Sequence, residues 1–258
     1  MFVLSQLLVE KLADLRKISG DFVYRESQTM TSNPQQRNLT IVAALIVVAV
    51  VAAVAVILIS SNSSSAAGRD YSNIPQSRTE DGAFVLGNPD APVTIVEFAD
   101  FTCPHCQEYD ETIKRFIDDF VVTGKAKFEY RMFPIVHPQY APFTAQLAEC
   151  ADQLKPGSFW NAHDLIFQLS GAGRYDAMGR LVAERFGLNY SDLLECAGNA
   201  RQYAIDMSLG RSVGVQGTPA VLVRYGDGPL SWITLNGTTY NRGGVAYNVL
   251  ADVVQSAQ

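Results

Sequence analysis

Cysteine, histidine and positive charge are all scarce in this chain of 258 residues, which has four Cys, three His and 20 Lys plus Arg against 26 Asp plus Glu. Four cysteines are too few for a scaffold held together by disulfides. The shortage of positive charge falls after Ala67, where 15 basic residues face 22 acidic ones, against 5 and 4 before it. A region of that sign repels phosphate instead of neutralising it, which excludes nucleic acid as a partner. No internal repeat is present. A mean hydropathy of +0.05 is too high for a disordered chain and too low for a polytopic transporter, and fits one membrane element joined to one ordinary domain.

What is present begins with 21 uncharged residues, Leu39 to Ile59, almost all Val, Ala, Ile and Leu. At 1.5 Å per residue such a helix crosses a hydrocarbon core of about 30 Å, so 39–59 is expected to be a single transmembrane anchor. Ser65-Ala66-Ala67 offers a small-residue cleavage site, but the apolar run exceeds that of a secretory signal. Arg25 and Arg37 precede the span and the next basic residue is Arg69, which places the N-terminus in the cytoplasm and the rest outside. Within 1–38, a cytoplasmic segment, Leu4, Leu7, Leu8, Leu12, Leu15 and Ile18 share one helical face. That face suits an interfacial helix; initiation at Met30 is the alternative. Residues 60–82, rich in Ser, Asn and Gly, read as a flexible tether.

From residue 83 onward the pattern is that of an α/β domain. Ala83 to Leu86 reads as a short edge strand and Val93 to Phe98 as a buried strand bounded by Asn88-Pro89-Asp90. Cys106, Tyr109, Ile113, Phe116, Ile117 and Phe120 recur at helical spacing, and Gly124 supplies the stop. Lys127 to Phe133 returns as a strand, which makes a parallel βαβ unit. About 140–209 reads as an inserted helical lobe broken at Lys155-Pro156-Gly157, Ser170 to Gly173 and Gly187-Leu188-Asn189. Val221 to Arg224 and Trp232 to Leu235 flank a Gly226-Asp227-Gly228-Pro229 turn, and Val245 to Val254 closes with a helix.

The spacing that carries chemistry is Cys103-Pro104-His105-Cys106. A thiol at the first turn of a helix that follows a buried strand meets unpaired backbone N–H groups and the positive end of the helix dipole, both of which favour thiolate. Cys103 holds that place as the attacking sulfur, and Cys106, one turn deeper, is the resolving one. Pro104 suits the first helical position, and a charged His105 would add a second favourable field. Haem attachment needs His after the second Cys, but residue 107 is Gln. Zinc would need two more soft ligands at paired spacing, and Cys150 and Cys196 stand apart. An inert buried thiol pair is the remaining alternative.

These residues resemble a DsbA-type member of the thioredoxin superfamily over roughly Phe84 to Val254. The matching stretches are Leu86 to Val93, Val96-Glu97-Phe98 leading into Cys103 to Cys106, Glu149-Cys150-Ala151 with Phe159-Trp160 and His163-Asp164-Leu165, and Gly214 to Ala220. The resemblance implies a thioredoxin-like fold with a helical insertion, with Pro219 as a cis-proline opposite the redox pair and Thr218 offering backbone groups to a cysteine-containing strand. Glu97 alternates into the sheet interior, and the family places a proton-transfer acid for the inner thiol near this point; the alternative is an acid at a frayed strand end, solvated or paired with Lys. His137 and His163 read as surface or packing residues. In an oxidising compartment Cys150 and Cys196 are expected to form a structural disulfide, with two buried free thiols as the alternative.

The function these readings point to is a membrane-tethered, extracytoplasmic thiol-disulfide oxidoreductase that needs no cofactor or metal. It would donate its disulfide to cysteine-containing proteins and be reoxidised by a membrane thiol oxidase. A reductase or isomerase is the alternative direction, to which Thr218 in place of the Val of the best-known family oxidase adds weight. A copper metallochaperone fits poorly, since such proteins space their thiols by three residues.

Overall fold

The structure, a computed structural model, describes residues 69–257. The cytoplasmic segment, the 39–59 anchor and the first part of the tether lie outside the described residues. Among the described residues no helix is long and apolar enough to cross a membrane.

A seven-stranded sheet is built from β1 (Gln76–Arg78), β2 (Phe84–Leu86), β3 (Val93–Ala99), β4 (Lys127–Met132), β5 (Ala220–Tyr225), β6 (Ser231–Leu235) and β7 (Thr238–Tyr240), in the spatial order β1-β2-β4-β3-β5-β6-β7. β3 and β4 pair in parallel, joined by α1 (Pro104–Phe116) and a π turn at Ile117–Val121, as the βαβ pattern predicts. All other pairings are antiparallel. β3 is buried at every position, which is why its sequence is an almost continuous apolar run. The inserted lobe comprises α2 (Ala141–Leu154), α3 (Phe159–Gly171), α4 (Met178–Phe186), α5 (Tyr190–Asn199) and α6 (Gln202–Ser212), and α7 (Tyr247–Gln255) closes the chain. Gly187 ends α4 in the left-handed region, and the Asn189 side chain caps α5 by accepting from Ser191 and Asp192 N–H, so the expected break at 187–189 is real.

The tether expected over 60–82 fails in its second half. Tyr71 is 2% exposed, Ile74 is buried, and β1 extends the sheet by pairing with β2. β1 is exposed at all three positions and is held through its backbone, so it shows no apolar periodicity. β7 was also beyond the hydrophobic pattern, although Asn236-Gly237, both with positive φ, form the two-residue turn that an antiparallel hairpin favours.

One bond staples the lobe internally and one charged group fastens it to the sheet. A disulfide joins Cys150 of α2 to Cys196 of α5, which overturns the alternative of two free thiols. Arg131 of β4, 2% exposed, donates to Glu129 (2.7 Å), Asp81 (2.6 Å) and Asp206 of α6 (3.1 Å), while Arg224 of β5 donates to the other Glu129 oxygen (2.7 Å). Every buried charge in this group has a partner, the condition under which burial is tolerated.

Candidate active site

Cys103 is the N-cap of α1 and Pro104 the first helical residue, so the end of β3 delivers the sulfur to the helix N-terminus as expected. The turn before it is tied by Asp100, a position the sequence marks as a turn without assigning its carboxylate a role. Its buried carboxylate accepts from the N–H and hydroxyl of Thr102 (both 2.8 Å) and from the N–H groups of Ile135 and Val136 (both 2.7 Å). Asp100 therefore clamps the cysteine turn to the loop after β4. The Asp-x-Thr pattern, a side chain bonding its own backbone two residues on, was the available signal.

Thr218–Pro219 is a cis peptide bond, and the Thr218 carbonyl oxygen lies 3.4 Å from the Cys103 sulfur. Residues 115 apart in sequence thus meet at the reactive atom. Both cysteines are free and buried. Cys103 is held down at about 5, first by the hydrogen bond from the Cys106 thiol, then by the Thr218 hydroxyl and the backbone N–H groups of Cys106 and His105, with burial working in the opposite direction. The Thr218 hydroxyl is buried and has no hydrogen-bond partner among the described residues, which leaves it available to the nearby Cys103 sulfur. Cys106 is pushed far up, first by burial, then by its bond to Cys103 and by the charge of Glu97. The two thiols are therefore opposites: a ready thiolate at the helix start and a deep thiol that keeps its proton.

The His105 side chain is 80% exposed and lies 3.6 Å from Glu108, and its backbone N–H is among the groups that hold the Cys103 thiol down. Thr218→Val should accordingly raise the Cys103 pKa by roughly one unit, and His105→Ser by less. Ultraviolet titration of the thiolate would measure both, and a larger shift for His105→Ser would restore the ring as the main field.

Glu97 sits in the middle of the sheet, in register with Tyr130 of β4 and Val221 of β5, and is 3% exposed. It is neither at a frayed end nor paired with Lys. Burial first, then the charges of Asp110 and Cys103, lift its carboxyl well above the usual range. His163 is a packing residue, edge-on to Tyr130 at 4.6 Å with Nδ1 3.1 Å from Asp164, and His137 is exposed beside Tyr140.

A groove of about 790 Å³ runs from the first turn of α1 across the Thr218–Pro219 loop, lined by His105, Glu108, Gly217, Thr218, Trp232 and Arg242 among others. Its far wall approaches α1 closely. Tyr109 donates to the Val245 carbonyl at 2.8 Å, and a Cβ on Gly244 would lie 2.4 Å from the Tyr109 ring, so only glycine fits there. The assembled site presents one nucleophilic sulfur beside exposed backbone, with a second sulfur and a carboxyl sealed beneath it.

Comparison with known proteins places this arrangement. The chain is 35% identical over 150 residues to Na(+)/H(+) antiporter NhaA 1 of Salinispora arenicola, covering 55% of this chain but 22% of that protein, so it spans about a fifth of that relative's length. It is 28% identical over 151 residues to disulfide bond formation protein D of Bacillus subtilis, covering 55% of this chain and 68% of that protein. Among solved structures, alpha-DsbA1 of Wolbachia pipientis superposes with a TM-score of 0.58 at 20% identity, over 70% of this chain and 92% of that one. The profile of the family described as thioredoxin matches residues 79–226, more than half of the sequence and the part that holds both cysteines and Pro219, and the chain belongs to that family.

Proposed function

We propose that the protein is a thiol-disulfide oxidoreductase, tethered to the membrane by residues 39–59, that donates a Cys103–Cys106 disulfide to cysteine-containing proteins outside the cytoplasm. The observation that carries this is the opposed pair of thiols beside the groove. A substrate thiolate bonds to the Cys103 sulfur, the Cys103–Cys106 bond breaks, and the electron pair passes to Cys106, which takes up a proton. A second substrate thiolate then displaces Cys103, which leaves as the favoured thiolate, and the substrate keeps the disulfide. Glu97 is the buried acid suited to supply the Cys106 proton. Reoxidation by a membrane thiol oxidase would complete the cycle.

Linkage supports the oxidase direction. The folded Cys103 value of about 5 lies below the value near 8.5 of an unfolded thiol. The reduced form therefore gains stability that is complete above about pH 8.5 and is lost as pH falls through about 5. At pH 7 this is about 2 to 3 kcal/mol, or roughly 40 to 60 mV, reduced by whatever screening solvent in the groove provides. Reduced protein should resist urea better than oxidised protein at pH 7, with the gap closing near pH 4. An oxidised form that is the more stable at pH 7 would favour the reductase reading.

For location, the uncharged 39–59 run and the basic residues before it support an anchor. A membrane-impermeant maleimide should label Cys103 in intact, reduced cells, and the protein should remain in the membrane pellet at alkaline pH. Recovery of a soluble form beginning near Gly68 would identify a cleaved signal instead.

A further inference from the structure

The groove beside the Thr218–Pro219 bond is lined by one acid and one arginine, and the two stand on different walls. One wall is a face of α1, where His105, Glu108, Tyr109 and Thr112 recur at helical spacing. Glu108 faces His105 there at 3.6 Å. The other wall is the segment between β7 and α7, Asn241 to Gly244, whose backbone is held at two places. Gly243 forms a parallel bridge with Ala220, which sets Arg242 and Gly243 about one strand spacing, roughly 4.8 Å, from Pro219 and Ala220. Just beyond it, Tyr109 of α1 donates to the Val245 carbonyl at 2.8 Å, and its ring leaves no room for a Cβ on Gly244. The Arg242 side chain carried by this fixed segment is exposed and has no hydrogen bond, ion pair or ring contact among the described residues. Arg69, Arg78, Arg115, Arg131 and Arg224, by contrast, each pair with a carboxylate.

We propose that Arg242 is a specificity-determining residue of the groove, and that the preferred substrates are polypeptides with an aspartate or glutamate close to the reacting cysteine. The inference rests on the oxidoreductase reading above and names the substrate class of that same site. The Cys103 sulfur lies 3.4 Å from the Thr218 carbonyl, so a substrate cysteine bonded to it sits beside the Thr218–Pro219 bond, with the Arg242 backbone about one strand away. An extended chain advances about 3.3 Å per residue, and side chains two apart share a face, which puts a carboxylate about two residues from the cysteine within reach of the guanidinium. The backbone at the site is open to such a strand, because Gly217 and Gly243 have nothing within 4 Å of where a Cβ would stand. The planar fork of arginine holds a carboxylate through two parallel hydrogen bonds, and a segment already fixed at Gly243 and Val245 loses little freedom on binding. After Ala67 the chain has 22 acidic residues against 15 basic ones, a balance that repels acidic peptides. An unpaired arginine in the groove reverses that sign where thiol exchange takes place.

The test uses peptides with one cysteine in an otherwise uncharged sequence, bearing aspartate or lysine two residues before or two residues after it, together with an uncharged reference. Each is mixed with oxidised full-length protein in non-ionic detergent at low salt, and opening of the Cys103–Cys106 disulfide is followed by acid quench and alkylation. A neighbouring charge also alters the peptide's own thiol, so the aspartate-to-lysine rate ratio is compared between proteins, where that effect cancels. For at least one of the two positions, Arg242→Ala should lower the ratio about fivefold and Arg242→Glu should lower it further, while the uncharged reference reacts at the wild-type rate. The difference between wild type and Arg242→Ala should shrink as salt is raised. Lys125→Glu changes the net charge as much as Arg242→Glu does, but it precedes β4, which runs parallel to β3, and so lies at the end of the sheet away from Cys103. It should leave the ratio at its wild-type value. An unchanged ratio in Arg242→Ala and Arg242→Glu at both positions would overturn the proposal, as would an equal fall in Lys125→Glu or an equal loss of rate with the uncharged reference. In each of those cases the wild-type protein still exchanges disulfides and the oxidoreductase reading stands. A wild-type protein that reacts with none of the peptides would overturn that reading instead.

Discussion

Full-length protein carrying Cys106→Ala is expected to accumulate covalent complexes with other proteins, visible as bands that collapse under reducing agent, whereas Cys103→Ala should form none. The expected contrast is all or none because the two sulfurs have no overlapping duties. Cys103 is the sulfur at the helix start, 3.4 Å from the Thr218 carbonyl and held as thiolate near neutral pH. Cys106 is fully buried and keeps its proton, so it cannot meet a substrate; it can only reach the neighbouring Cys103 and release what is bound there. Without it, a mixed disulfide at Cys103 waits for an external thiol. Complexes that form with Cys103→Ala and not with Cys106→Ala would reverse the roles.

The second large effect concerns stability. Replacing both Cys150 and Cys196 with Ala should lower the unfolding free energy by about 4 kcal/mol, because the bond closes a loop with a sequence separation of 46 and its loss returns that freedom to the unfolded chain. Against a typical total of about 5 to 15 kcal/mol, this is a substantial share. Urea unfolding with the Cys103–Cys106 pair held reduced would read it directly, as a lower midpoint. A loss under about 1 kcal/mol would mean that packing alone holds α2 against α5.

Much of the candidate site was legible because its signals are local. The cysteine spacing, Pro104 at the first helical position and the apolar run of β3 lie within 14 residues, and each reports on backbone conformation at its own place. Glu97 was legible as inward-facing by alternation alone, but alternation does not say what lies opposite. The charges of Asp110 and Cys103 that act on it come from the helix packed over the sheet. His105 adjoins Cys103 in sequence, but that its ring projects into solvent beside Glu108 is visible only in the structure. The edge strand β1 was illegible because an exposed strand held by backbone hydrogen bonds has no apolar periodicity to display.

By itself the sequence determined which segments are strands and helices in the core, that a dithiol begins a helix, and that acidic charge dominates the region after Ala67. Those properties depend on neighbours within a turn or a strand, where spacing, caps and composition act directly. Only the tertiary structure decided that Thr218 sits against Cys103, that residues before 83 belong to the fold, and that Cys150 is bonded to Cys196. Each of these depends on groups brought together in space by the packed fold, through backbone pairing or burial that no local spacing reports.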